Sequence, residues 1–245
     1  VMGETVLLTG WLNSFKRKKL ISIHQTLQAK YEVTMNTLFY DIEDAAKKHR
    51  KHLVQHYGST LYGENADMGD IYDQIEEETY EFYQAEKLME YNFHLSLLAT
   101  MYQIFEQQLR AFIYEELNHR LSPVRTEEDF PEFGTNMGKI KEAFKHVNYD
   151  LETTTQWDII ATLADLINTY KHGDGRSSKR LYKKNPELFI KAYYGEKRLM
   201  DQELTTNAEI VFDLKEIEFR TFSDAIIGFW EGFPEHLSGS YTFPD

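Results

Sequence analysis

Between Leu98 and Ile113, apolar side chains recur every three or four residues: Leu98, Met101, Tyr102, Phe105, Leu109, Phe112 and Ile113. A period near 3.6 places all of them on one side of an α-helix, whereas a strand would scatter them over both faces. The stripe therefore predicts a helix turned into a core. The same period continues elsewhere. Leu20, Ile23, Leu27, Tyr31 and Leu38 punctuate a helical stretch over about 21–57, and Gly58 and Gly63 bracket a loop. A second long helix begins near Asp70 and runs toward Arg120, with a kink or break expected at Tyr91 and Asn92. With 13 Gly and 5 Pro among 245 residues, the chain is too poor in turn formers for a β-sandwich or barrel.

Punctuation after residue 120 is equally readable. Ser122-Pro123 ends the long helix, 123–135 reads as a loop, and 136–147 as a shorter amphipathic helix. Thr153, Thr154 and Thr155 are placed to cap a helix over 156–172. Its inward face is Ile159, Ile160, Leu163, Leu166, Ile167 and Tyr170, and Gly173 stands at its C′ position. Asn185-Pro186 opens another short helix to about Tyr193, 207–222 holds one or two short strands, and a last helix over 222–236 carries Phe229 and Trp230. Trp11 and Trp157 read as packing anchors. The expected fold is mainly α: an up-and-down helical bundle with a long-helix N-terminal extension and at most a short β hairpin near the C-terminus. Residues 1–95 form the extension and 96–245 the helical domain, unless the two are one continuous domain. Within the extension, 21–57 and 70–95 are expected to pair as an antiparallel hairpin, a candidate dimerisation or partner-binding arm.

Several chemistries are excluded. The chain has no Cys, so it has neither disulfides nor thiolate ligands. It has no Walker A, Gly-x-Gly-x-x-Gly or Gly-x-Ser-x-Gly motif. No apolar run has membrane-spanning length, and the basic cluster 15–19 follows the apolar Val6-Leu7-Leu8, the reverse of a secretory signal. The expectation is a soluble, cytoplasmic protein without membrane contact. Val1 ahead of Met2 reads as the start of a fragment or of a chain with added residues. His52 and His56 have metal-ligand spacing but sit among Lys47, Lys48, Arg50 and Lys51, which repel a cation. Glu116 and His119 match half of a di-iron helix, while Glu90/His94 and Glu142/His146 have the wrong spacing. No metal or other cofactor is expected.

Charge is unevenly distributed. The total is 27 Lys and Arg against 40 Asp and Glu, net −13, which disfavours nonspecific binding to duplex DNA. Residues 64–90 hold ten carboxylates and one Lys, whereas 171–198 hold nine Lys and Arg and three carboxylates. The basic island is either a polyanion site or a face that pairs with the acidic stretch, within the fold or across a dimer.

The sharpest constellation is Asp165, Asn168 and His172, which spacings of three and four place on one helix face. Lys171 and the turn from Gly173 to Ser178 follow at once. A His titrates near neutral pH and serves as general acid or base. Arg176 or Arg180 can grip phosphate oxygens, and Gly173 and Gly175 can leave N–H groups open to an anion. The plainer reading is that Lys171 and His172 complement the helix dipole and Gly173 stops the helix. Glu106 and Arg110, four apart, are either an ordinary intrahelical pair or part of the lining of the His172 site.

The segment Asn168-Thr169-Tyr170-Lys171-His172-Gly173 resembles the motif helix of HEPN-domain proteins. The helix Phe105-Glu106-Gln107-Gln108-Leu109-Arg110-Ala111-Phe112-Ile113 is similar to the one packed beside it, and the Phe229-Trp230 helix to the last helix of several bacterial members. The resemblance covers roughly 95–237. It implies a helical bundle that dimerises, and a metal-independent endoribonuclease of toxin–antitoxin, abortive-infection or antiphage defence systems. The family motif is an Arg, then four to six intervening residues, then a His. His172 matches the His and Asn168 the polar residue after the Arg, but the Arg positions hold Asp165, Leu166 and Ile167. The resemblance implies His172 and Asn168 as catalytic, and Lys171, Arg176, Arg180 and Asp165 around the RNA. It equally allows a catalytically silent scaffold that docks a protein partner, an antitoxin or a subunit of a defence complex.

Overall fold

Short polar side chains decide where the first helices begin. In the computed structural model, which describes residues 5–59, 68–117, 134–191, 197–202, 206 and 208–243, Asn13 Oδ1 accepts the N–H of Lys16 at 2.8 Å. Helix α1 then runs Ser14–Leu38. Asp41 repeats the device, its Oδ1 taking the N–H of Asp44 at 2.8 Å. This cap divides the stretch that periodicity joins over 21–57, and α2 spans Ile42–Ser59, continuing through Gly58.

The second long helix is not divided. Helix α3, Met68–Phe112, has 45 residues and a length of about 67 Å, and passes into a π-helical turn over Ile113–Leu117. Asn92 stays helical by donating its side-chain amide to the Leu88 carbonyl at 2.9 Å, and Tyr91 is buried. The helix stop at Ser122-Pro123, most of the 123–135 loop, Gly63 and Tyr193 lie outside the described residues.

Helices α1 and α2 run in tandem back along α3. Tyr31 meets His94 and His24 meets Gln108, while His49 stacks on Phe82 and Tyr57 reaches Glu78. The order is antiparallel, so α2 and the first half of α3 make the expected hairpin. Helices α4 (Met137–His146), α5 (Trp157–His172), α6 (Arg176–Lys184), the single turn α7 (Leu199–Gln202) and α8 (Phe219–Gly232) complete the bundle. Strands β1 (Thr5–Trp11) and β2 (His236–Thr242) pair antiparallel, Thr5 opposite Thr242 and Trp11 opposite His236. The small sheet thus joins opposite ends of the described chain. Gly239 lets β2 cross the end of α4, since a Cβ there would lie 1.9 Å from the His146 carbonyl oxygen.

Three expected elements change. Asn185 is the C-cap of α6, and Pro186 starts only a 3-10 turn, Pro186–Leu188. The strands expected in 207–222 reduce to a single bridge, Phe189 to Phe212, followed by the 3-10 turn Leu214–Glu216. Helix α8 starts earlier than 222 and ends at Gly232, because the chain must straighten to enter β2.

The core follows the stripe. Leu98, Met101, Phe105, Leu109 and Ile113 are completely buried. Phe229 meets Phe105 edge-to-face at 5.1 Å, and Trp230 is fully enclosed. Helix α8 has no basic residue in its last turn. Arg17 from α1 supplies the charge, its guanidinium donating to the carbonyls of Trp230, Glu231 and Phe233. Trp157 is buried as an anchor, whereas Trp11 is half-exposed and stacked on His236. Ile42, Ala46, Leu53 and Ile75 form a thin seam in the α2–α3 hairpin, apart from the main core cluster. Among the described residues no helix is long and apolar enough to cross a membrane.

Candidate functional site

Helix α5 holds the site by its buried face. Ile160, Leu163, Leu166 and Ile167 are buried, while Ile159 stays 38% exposed, so the inward face is narrower than expected. The threonines do not cap it. Asp150 caps the preceding 3-10 turn, Leu151–Thr153, and Gln156 takes the N-cap position of α5 without a side-chain bond.

At the other end Gly173 adopts φ +65°, a conformation that favours glycine, and its N–H donates to the Thr169 carbonyl at 2.8 Å. Asp174 then anchors the turn by accepting the N–H and O–H of Thr206 at 2.6 and 2.8 Å. Gly175 N–H donates to Ser178 Oγ at 2.9 Å. Both glycine N–H groups expected to stand open to an anion are thus engaged. The residues after Gly175 are not an extended turn but α6, which buries Ser178 and Leu181.

This packing sorts the basic island into two sets. Asn168 and His172, one turn apart on α5, are exposed, as are Lys171 on α5 and Arg176, Lys179 and Lys183 on α6. Among the described residues none of these six side chains makes an ion pair or hydrogen bond. Arg180 turns the other way. Its Nε donates to Asp165 Oδ2 at 2.6 Å and a second N–H to Oδ1, a bidentate pair in which the Asp165 side chain is only 11% exposed. That bond holds the Arg180 pKa above its ordinary value. Of the residues expected around a substrate, Lys171 and Arg176 stand open, whereas Arg180 and Asp165 are locked to each other. Lys184 pairs with Asp158 at 3.1 Å.

The acidic stretch is used elsewhere. Its described part faces α2, where Arg50 Nε donates to Glu76 at 2.7 Å and Tyr57 to Glu78. Among the described residues no carboxylate of that stretch pairs with the basic island. Nor do three or more His, Asp or Glu side chains converge as a metal site there.

Glu106 and Arg110 are an intrahelical pair at 2.6 Å, and Arg110 also donates to the Gly134 carbonyl at 2.6 Å. Tyr170 bonds Asn92 and Ser96, which fixes the level of the end of α5 along α3. Glu106 lies roughly 15–20 Å farther along that axis, so the pair flanks the other half of α5 and not His172.

Sequence reasoning did not find the cleft between these levels. It is a cavity of about 630 Å³ among α3, α4, α5 and α6, with Tyr102, Lys141, Trp157, Asn168, Asp165 and Arg180 in its lining. Lys141 Nζ lies 6.0 Å from the Trp157 ring centroid and 3.0 Å from Glu152. Burial, with the charges of Glu106 and Asp165, pushes the Tyr102 hydroxyl far above its ordinary pKa. No sequence periodicity joins 137–141 to 161–168, because only packing brings them together. Compared with known proteins, the chain matches no family model, no curated protein and no solved structure.

Proposed function

We propose that this chain acts on RNA at the α5–α6 corner, as a HEPN-like protein of a cytoplasmic bacterial defence or toxin system, with His172 as the general acid–base of a metal-independent cleavage. One observation carries the reading. In a chain of net charge −13, Lys171, Arg176, Lys179 and Lys183 stand exposed, and among the described residues unpaired, on the same pair of helices as an exposed His172. Phosphates are the natural partners of such a ridge. Attack by a ribose 2′-OH on its own phosphate needs a proton acceptor, a proton donor and stabilisation of charge on the phosphate oxygens. His172 supplies the proton transfers, Asn168 orients the imidazole or the phosphate, and the lysines and Arg176 stabilise the charge. The defence or toxin context and the homodimer rest on the resemblance of the Asn168–Gly173 motif.

A second reading has its own observation. Arg180 is held by Asp165, and no Arg takes the family's motif position ahead of His172. On this reading the corner is catalytically silent and docks an acidic protein partner. Purified protein incubated with total RNA and tRNA in EDTA separates the two. The first reading expects cleavage that survives chelation and disappears in His172→Ala. Intact RNA with both proteins sinks it and favours the scaffold, whose partner a pull-down with a Lys179→Glu control then identifies.

A further inference from the structure

The ridge and the cleft meet at Asn168, yet they differ in charge. Every charged side chain in the cleft is matched: Lys141 with Glu152, Arg180 with Asp165, and Asp158 with Lys184. Among the described residues the cations on the ridge are unmatched. A polymer with charged phosphates and neutral planar bases has these two demands in alternation. We propose that the cleft takes a single unstacked nucleobase of a bound RNA strand, while the ridge holds the phosphates beside it. The inference rests on the RNA reading above and assigns the part of RNA that enters the cleft.

Three features fit a base. The volume of about 630 Å³ lies within the ~300–1,000 Å³ of small-molecule sites. Both bonds to Asp165 fix the Arg180 guanidinium in plane and offset its charge, which leaves a flat face on which a base can stack. Asn168 stands at the rim with its amide unbonded. An amide offers one donor beside one acceptor, which matches an adenine edge. Asn168 is also one turn, about 6 Å, from His172. A base in the cleft therefore keeps its own ribose and phosphate beside the imidazole. A base within a duplex cannot enter, so the cleft selects single strands.

The test uses the full chain and two non-cleavable probes of equal length: a 2′-O-methyl oligo-adenosine and the same backbone with abasic residues. Fluorescence anisotropy reads binding. The expected result is at least about tenfold tighter binding of the base-bearing probe. Ala164→Phe, which fills the cleft from the surface of α5, reduces that ratio to near one and leaves the abasic affinity unchanged. Ala161→Leu, one turn earlier on the same wall of the cleft, provides a second variant should Ala164→Phe fail to fold, and it lowers the ratio in the same way. Equal binding of the two probes by the unmodified chain overturns the base site and leaves the RNA reading standing. So does a preference that persists in both variants. Binding of neither probe overturns the RNA reading, and the base site with it.

Discussion

Helices α2 and α6 are both rich in lysine and arginine, and each pairs part of its charge across to a neighbour, but the two are anchored differently. Helix α2 lies along the acidic half of α3, where Arg50 bonds Glu76 and Tyr57 bonds Glu78. Helix α6 is anchored through Ser178 and Leu181 and turns Arg176, Lys179 and Lys183 to solvent, without partners among the described residues. The α2–α3 hairpin has a thin apolar seam of Ile42, Ala46, Leu53 and Ile75, whereas α5, which carries α6, is built into the main core. A run of basic residues is thus ambiguous until its neighbours are known. Among the described residues Arg50 is the only Lys or Arg of α2 that bonds across to its neighbour, whereas on α6 Arg180 and Lys184 pair with α5 and the remaining cations stand exposed on a helix held by the core.

Truncation in the two regions tests this contrast most severely. Trp230→Ala, in the fully buried centre, is expected to cost about 3–5 kcal/mol and to lower the urea midpoint of the whole bundle. Leu53→Ala removes the middle of the hairpin seam. Its effect is expected mainly as faster amide exchange over 42–59 and 68–90, with protection in α5 and α8 retained. Loss of protection throughout the molecule in Leu53→Ala would show that hairpin and bundle unfold as one unit.

A smaller effect distinguishes the regions through pH. His94 lies where α3 leaves the hairpin and enters the core. Its Nδ1 is 2.7 Å from the Tyr31 hydroxyl of α1, the Phe219 ring of α8 stands edge-on to it, and its Nε2 is buried without a partner. On α3 itself, Glu90 and Lys87, one turn or more before it, are paired with each other. Burial lowers the His94 pKa from 6.5 to about 4, and burial with Glu90 and Glu32 raises that of Tyr31 to about 12. Tyr31 therefore remains a phenol and His94 neutral at pH 7. Below pH 6.5 the unfolded chain takes up a proton that the folded chain refuses until about pH 4. Stability is thus full above pH 6.5, falls between 6.5 and about 4, and loses at most about 3 kcal/mol from this group. Urea midpoints at pH 7, 5.5 and 4.5 should fall less steeply in His94→Gln than in the unmodified chain. Parallel curves would remove His94 from the acid response.

Local periodicity and local caps explain most of what the sequence shows. The 98–113 stripe and the inward residues of α5 were legible because one segment contains the whole pattern. The seat of His172 and Asn168 on an exposed α5 face was legible for the same reason. The α1–α2 division was missed although Asp41 signals it, because a single cap is weak beside a long helical period. A short β hairpin near the C-terminus is expected from the sequence, but the pairing of β2 with the N-terminal strand β1 is not, for a different reason. Val6-Leu7-Leu8 is too short for its period to mean anything, and its partner lies at the other end of the chain. The Arg180–Asp165 bond follows from α6 folding back on α5 across Gly173. Only packing shows that an Arg read as a phosphate ligand is committed to a carboxylate.

That bond also permits the finest comparison between the two basic helices. Arg50 and Glu76 are both well exposed, with side chains 44% and 59% accessible. Water screens the pair, and Arg50→Ala should leave the urea midpoint nearly unchanged. Arg180 is itself exposed, but its partner Asp165 is not. Arg180→Ala leaves a nearly buried carboxylate with its charge uncompensated, an expected loss of about 1–3 kcal/mol after allowance for the exposed side of the pair. Adding Asp165→Asn should then recover part of the loss, because the stranded charge is gone. Arg180→Lys should recover little, since a single ammonium cannot reproduce the two parallel bonds. Urea unfolding of these variants settles the matter. Equal costs at Arg50 and Arg180 would mean that the α5–α6 pair is as solvated as the hairpin pair. Arg180 would then be free to leave Asp165 for a phosphate.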